Sequence, residues 1–278
     1  MNKKIIYISD FFIEHVLGGA EINDNILLYE ILTTEIERIQ SHLVDSTFLE
    51  NNINNLFIIS NFINLSEKCK IYLQNNCRYI IYEHDHKYIK TRNPGLYKDF
   101  KAPKEHVINE DFYKNALKVI VQSKLHKKII EKNINIQNIF NFGGSLWSGE
   151  TLKLLEKLLS QEKKEICSIM NSSIGHKNTA DAIKFCKFKK IPFRLIESRS
   201  YKKFLYMMAA NNQFAFFPKT PETLSRVVVE ARMLGIKLYI NDMIGASHEE
   251  WFDVKGKELI KLMNNKKQII KKEIEILM

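Results

Sequence analysis

The chain has 278 residues, 45% of them apolar, and carries 42 basic against 32 acidic side chains for a net charge of +10. That length and apolar share suit one or two globular domains with sizeable cores and exclude a disordered chain. Ten glycines and five prolines exclude long flexible linkers and low-complexity segments, and the chain shows no internal repeat of fixed period. The positive excess favours a polyanionic partner: nucleic acid, an anionic membrane surface or an acidic polysaccharide. Cys69, Cys77, Cys167 and Cys186 are scattered without metal-ligand spacing and read as reduced thiols of a cytoplasmic protein. Met1-Asn2-Lys3-Lys4 leads straight into an apolar run without a signal-peptide core, and no apolar run approaches the ~20 residues that span a bilayer.

The first predicted strand is Ile5–Ser9, followed by a loop with Gly18-Gly19-Ala20-Glu21 and a helix-like stretch from Ile22. Paired glycines let the backbone approach a ligand closely, and the N-terminus of the next helix favours anions. Strands follow at Leu56–Ser60 and Tyr79–Tyr82, the second leading into Glu83-His84-Asp85-His86-Lys87-Tyr88 and then Thr91-Arg92-Asn93-Pro94. Two histidines and two carboxylates within four residues admit three readings: a metal site, a general base, or a polar loop at the strand's rim. Alternate side chains of an extended loop can reach one ion, but no distant ligand cluster completes a zinc set.

Further strands are predicted at Val119–Gln122, Ile166–Met170, Phe193–Ile196, Phe214–Phe217 and Lys237–Ile240. Lys177 stands in the loop Ser172–Asn178 after Ile166–Met170, before a helix. Short apolar runs separated by helical patterns indicate parallel sheets covered on both faces, which bind ligands beyond the carboxyl ends of their strands. The class is therefore α/β, with two Rossmann-like domains whose sheets face a central cleft. The boundary falls near Gly144–Gly149, giving domains of residues 1–147 and 148–278.

The most informative segment is Pro221-Glu-Thr-Leu-Ser-Arg-Val-Val-Val-Glu-Ala231. Arg226 to Gly235 reads as a helix with a glycine C-cap. Glu222 then lies on the turn that opens it and Glu230 about two helical turns further on. Free backbone N–H groups and the helix dipole suit a diphosphate, and a carboxylate beside them accepts from sugar hydroxyls.

This segment resembles the E-x7-E element of retaining GT-B glycosyltransferases of family four. Glu222, Arg226, Val227, Glu230, Ala231 and Gly235 match, while Leu224 replaces a Phe and Ser225 a Gly. Gly18-Gly19 matches the family's paired glycines, Lys177 its phosphate-holding lysine, and Gly245 with Glu249 its Gly-Gly-x-x-Glu; Ser172 stands where the family has an Arg. The likeness covers nearly the whole chain, densely from Lys177 to Glu249.

The resemblance implies retaining transfer of a hexose or pentose from a nucleoside-diphosphate sugar, UDP favoured, with no further cofactor and no metal. Glu222 would orient the sugar and Glu230 the ribose. Gly18, Gly19, Lys177, Thr223, Leu224, Arg226 and Gly245 would complete the donor site, and His84 and Asp85 would touch the reacting sugar or acceptor. The acceptor favoured is DNA carrying hydroxymethylated bases, as for some phage enzymes of this form. Lys87, Lys90, Arg92 and Lys124–Lys128 would track its phosphates, and Tyr82, Tyr88 or Tyr97 would stack a flipped base. Lipid-linked or surface-glycan synthesis and a catalytically degenerate nucleotide-binding module are the alternatives. The lysine-rich tail from Lys255 is read as a membrane-surface helix or, preferably, one that packs back across the N-terminal domain.

Overall fold

The computed structural model describes residues 4–278, so the opening Met1-Asn2-Lys3 lies outside the described residues. The chain divides into two compact units, one running to Leu146 and taking in Lys266–Met278, the other Trp147–Asn265.

In the first unit, in chain order, come β1 (Ile5–Ser9), α1 (Gly19–Ile26), β2 (Ile36–Gln40), α2 (Ser46–Asn51), β3 (Leu56–Ile59), α3 (Glu67–Asn76), β4 (Arg78–Tyr82), α4 (Glu110–Lys114), β5 (Lys118–Val121), α5 (Lys124–Asn133) and β6 (Ile139–Asn141). The six strands pair in the order β2-β1-β3-β4-β5-β6, every pair parallel. Successive side chains of a strand point to opposite faces. Ile6, Ile8, Phe57, Ile59, Tyr79, Ile81, Val119 and Val121 thus enter one core, and Ile5, Tyr7, Leu56, Ile58, Ile80, Tyr82 and Ile120 the other. Both faces are covered, which is why β1, β3 and β4 read as continuous apolar runs. Strand β2 has no such run: at the sheet edge it carries Glu37, Arg38 and Gln40, and its half-buried pattern gave no sequence signal.

The second unit holds α6 (Gly149–Leu159), β7 (Lys164–Met170), α7 (Thr179–Phe188), β8 (Phe193–Ile196), α8 (Tyr201–Ala209), β9 (Asn211–Phe216), α9 (Arg226–Met233), β10 (Lys237–Ile240) and the first part of α10 (Gly256–Glu275). Its four strands pair in the order β10-β9-β7-β8, again all parallel. Ile196, Phe214 and Phe216 face one core, and Cys167, Ile169 and Ala215 the other. Serine hydroxyls open several helices: Ser66, Ser123, Ser148 and Ser200 accept N–H groups at the starts of α3, α5, α6 and α8. Gly235, at φ +68°, closes α9 as the sequence predicts, with the Ile236 N–H returning to the Ala231 carbonyl.

Helix α10 corrects the membrane-surface reading of the tail. Leu259, Ile260 and Met263 are buried in the core of the second unit, and Ile270 and Ile274 in a core of the first. Most of its apolar positions are thus covered by protein, Ile269 staying exposed. Among the described residues no helix is long and apolar enough to cross a membrane. The four cysteines are free thiols, with Cys69, Cys167 and Cys186 buried.

Candidate functional site

In each unit the candidate residues gather beyond the carboxyl ends of the strands, where an open parallel sheet leaves a crevice.

In the second unit Lys177 stands in a short helical turn after β7, and its Nζ donates to Glu222 Oε1 at 2.8 Å. Glu222 lies on the loop after β9, which is zipped to the 243–246 loop. The Glu222 N–H bonds the Met243 carbonyl, Gly245 N–H bonds the Glu222 carbonyl, and Ala246 N–H bonds the Leu224 carbonyl. These bonds fix the backbone under Glu222. They also place two predicted donor contacts: the N–H of Gly245 is committed to this zipper, and the Leu224 side chain is buried in the core. Thr223 is half-buried on the same loop.

Ser225, the residue before α9, has φ +75°, in the left-handed region that its replaced glycine would adopt without strain. Ser172 does not substitute for a cation: its hydroxyl accepts the Ile174 N–H and its own N–H bonds Thr179 Oγ1, so it closes a turn.

Glu230 is buried, about one turn into α9. Its Oε1 accepts Trp147 Nε1–H at 2.9 Å and the Tyr201 hydroxyl at 2.5 Å, with Arg226 Nε at 3.8 Å. Oε2 takes none of these bonds. The Arg226 guanidinium lies 4.6 Å from the centre of the Trp147 ring and reaches the Tyr201 hydroxyl at 3.4 Å. Burial pushes the Glu230 carboxyl up, and Arg226 and the two donors oppose that shift. Burial likewise raises the Tyr201 hydroxyl, so it stays a donor to Glu230. Trp147 and Tyr201 were invisible to motif reasoning. Neither belongs to a spaced pattern; the one cue was a lone Trp where the first half ends.

In the first unit Gly18 precedes α1 and Gly19 opens it, with the Glu21 carboxylate folded back beside Gly18. Burial raises the Glu21 carboxyl, a backbone hydrogen bond opposing it. Gly19, Ala20, Glu21, His84 and Asp85, with Asp10 from the end of β1, line one pocket of about 310 Å³. The glycine loop and the acidic-histidine segment, some 65 residues apart by sequence reading, therefore meet here. His84 is buried. Its Nε2 bonds Asp24 Oδ1 at 2.7 Å and its Nδ1 lies 3.2 Å from Gln122 Nε2. Ser60 holds the other Asp24 oxygen at 2.6 Å. With Gln122 donating to Nδ1, the proton sits on Nε2 and points to Asp24. Asp85 is half-exposed, 3.4 Å from Arg92. Asp24, Gln122 and Asp10 were not anticipated from the sequence.

The rest of that segment is interior, which corrects the polar-rim reading. Glu83 is fully buried, receiving Lys87, the Tyr113 hydroxyl and, at 2.7 Å, the Asp85 N–H. His86 bonds the Tyr88 hydroxyl at 2.7 Å. His126 Nε2 bonds the Asp85 carbonyl at 3.0 Å, and burial holds this imidazole well below its ordinary pKa. Among the described residues no group of three or more His, Cys, Asp or Glu is placed to hold a metal ion. Three of the expected DNA contacts are corrected in the same way. Lys87, Tyr82 and Tyr88 are buried, so Lys87 does not track phosphates and neither tyrosine is a stacking platform. Lys124 and Lys128 are exposed, while Lys127 pairs with Glu131 at 3.7 Å.

No protein-family model matches the chain. No curated protein matches it in sequence. Solved structures do match in fold. HepE of Anabaena, in complex with UDP and glucose, is 14% identical, with 96% of this chain and 90% of that one covered and a TM-score of 0.53. The UDP-forming trehalose-phosphate synthase of Burkholderia vietnamiensis is 8% identical, covering 100% and 93%, with a TM-score of 0.56. The sucrose-phosphate synthase of Thermosynechococcus elongatus is 11% identical, covering 96% and 90%, with a TM-score of 0.52. The likeness shows the fold: two parallel-sheet, Rossmann-like α/β domains of the GT-B type.

Proposed function

We propose that the protein is a retaining glycosyltransferase that moves a sugar from a UDP-sugar to an acceptor hydroxyl. The observation that carries this reading is the second unit's constellation: a cation, Lys177, paired to Glu222, and a buried Glu230 gripped through one oxygen by Trp147 and Tyr201. The UDP and glucose bound by HepE support the donor class.

In this reading ribose hydroxyls donate to Glu230 Oε2, the oxygen its protein donors leave. Lys177 and Arg226 receive the diphosphate charge as the bond from the sugar's anomeric carbon to the phosphate oxygen breaks. Releasing Lys177 to the phosphate frees Glu222 to accept from sugar hydroxyls. The acceptor oxygen bonds the same face of the anomeric carbon, and its proton passes to the departing phosphate oxygen. The protein's contribution is positioning and charge stabilisation set in place beforehand. His84, fixed by Asp24 and Gln122, serves as a rigid wall of the acceptor pocket in the first unit.

A binding module without turnover is the second reading, favoured by one observation: Ser172 is spent on a turn where the resembling family has an Arg. A thermal-shift screen of UDP, GDP, ADP and their glucose conjugates, followed by labelled-sugar transfer, separates the two. A ligand that binds only the native state raises the melting temperature. A UDP shift with transfer supports the enzyme; a UDP shift with no hydrolysis or transfer on any acceptor class supports the module. No shift with any nucleotide overturns both.

A further inference from the structure

Beside the pocket of Gly19, His84 and Asp85 lies a second concavity in the first unit, of about 470 Å³, with Ile63 and Arg92 as shared wall. That is within the size range of small-molecule sites. Its back is apolar, from Phe62, Ile63 and Ile108, and its rim is cationic: Lys70, Lys87, Lys90 and Arg92 against one lining carboxylate, Glu67.

Each cation is held differently. Lys70 donates to Glu67 Oε1 at 2.6 Å and Asn109 Oδ1 at 3.0 Å, and Lys87 donates to Glu83 and to Asn61 Oδ1 at 3.3 Å. Both buried ammonium groups also lie over the Phe62 ring, at 5.9 and 5.4 Å from its centre. Arg92 pairs loosely with Asp85, 3.4 Å away, both side chains being partly exposed. Lys90 has no carboxylate within ion-pair distance among the described residues. The site therefore carries an uncompensated positive charge at Lys90 and a loosely paired one at Arg92.

The backbone that presents them is fixed. Lys90 N–H bonds the His106 carbonyl, Ile108 N–H bonds the Tyr88 carbonyl, and Asn109 Nδ2 bonds the Lys87 carbonyl. Arg92 is held at φ +53°, a left-handed conformation that costs a non-glycine residue energy and recurs at ligand clamps. It points one guanidinium at the wall common to both pockets.

We propose that the acceptor substrate carries a phosphomonoester, bound by Lys90 and Arg92 in the concavity that Lys70 and Lys87 help to line, while its reacting hydroxyl enters the pocket of His84 and Asp85. This deepens the glycosyl-transfer reading and rests on it. A compact, tetrahedral dianion matches converging donors on an apolar-backed concavity, whereas a polynucleotide presents a row of diester phosphates to an open surface.

The test is isothermal titration of wild type and Lys90→Glu with inorganic phosphate, glucose 6-phosphate, glucose, a hydroxymethylated DNA oligonucleotide and, separately, UDP. Lys90 is exposed, so the variant is expected to fold; its UDP affinity and circular dichroism check this. Wild type is expected to bind glucose 6-phosphate and phosphate, glucose at least tenfold more weakly than its phosphate, and the variant to lose tenfold or more for both phosphates with UDP unchanged. Equal phosphate affinity in the two proteins, equal affinity for glucose and its phosphate, or Lys90-dependent binding of the oligonucleotide alone overturns the proposal. Lys90-dependent phosphate binding without any UDP binding would leave the anion pocket standing and remove the glycosyl-transfer reading instead.

Discussion

Lys177 and Glu222 hold each other in the second unit, Nζ to Oε1 at 2.8 Å, from loops that follow β7 and β9. Both are partly buried, so the pair is neither a solvated surface contact nor a sealed internal one. A diphosphate arriving at Lys177 has to compete with this carboxylate, and a sugar hydroxyl arriving at Glu222 has to compete with this ammonium. A UDP-sugar meets both demands at once, because it brings an anion for one partner and donors for the other.

Substitutions of the pair should therefore separate binding from turnover. Lys177→Ala is expected to weaken UDP binding by roughly tenfold to a hundredfold, the worth of about 1.5–3 kcal/mol for a hydrogen bond to a charged group. Glu222→Gln removes the competing charge, so UDP affinity should hold or rise while sugar transfer falls. Titration of UDP and initial rates of labelled-sugar transfer measure the two effects. Wild-type turnover in Glu222→Gln would remove Glu222 from its role.

The parts legible in the sequence were those written as continuous or periodic patterns. The eight predicted strands correspond to strands of the two sheets, and Gly235 was readable because a helix stop needs a left-handed residue. What was not legible depends on long-range packing. Glu83, His84 and His86 lie within four residues after a strand, a pattern equally suited to a metal loop. Only the fold shows that Tyr113, Asp24 and Tyr88, residues from elsewhere or further along, consume their polar atoms. Trp147 and Tyr201 stand 83 and 29 residues from Glu230, and no local spacing announces that they grip it.

Ser225 offers a stability prediction. It stands at φ +75°, and its buried hydroxyl has no hydrogen-bond partner. Ser225→Gly removes both the left-handed strain and the unmet polar group, at the cost of more freedom in the unfolded chain. The expected net effect is stabilisation of about 1 kcal/mol, read from urea midpoints at constant slope. Ser225→Val, β-branched at the same φ, should destabilise by more than Ser225→Gly stabilises. A midpoint that falls in the glycine variant would contradict the strain assigned here.

The sequence has no Asp-x-Asp motif, and in the proposed function two cations, Lys177 and Arg226, take the developing diphosphate charge. Transfer is accordingly expected to survive excess EDTA within twofold, and added magnesium or manganese to leave the rate unchanged. Activity abolished by EDTA and restored by one divalent ion would show that the lysine and arginine do not suffice.

Glu230 yields a pH prediction with a definite sign. Burial raises its carboxyl above the ordinary value of about 4.5. Between the ordinary and the folded value the folded protein binds more protons than the unfolded chain, so stability falls as pH rises through that window and the loss is complete above it. Glu230→Gln keeps an oxygen to accept from Trp147 and Tyr201 but removes the charge. The melting temperature of the variant minus that of wild type should therefore be positive at pH 8, shrink as pH falls below the folded value, and vanish below about 4.5. Comparing the two proteins cancels the acid sensitivity they share, including that of buried His126. The same variant should bind UDP more weakly, because with its oxygen held by Trp147 and Tyr201 the amide places a donating NH2 where the carboxylate's Oε2 would accept from ribose hydroxyls. Stability gained at pH 8 together with UDP affinity lost would identify Glu230 as a carboxylate retained for binding at the expense of the fold. A variant less stable than wild type at pH 8 would mean instead that its ion pair with Arg226, 3.8 Å away, outweighs the burial of its charge.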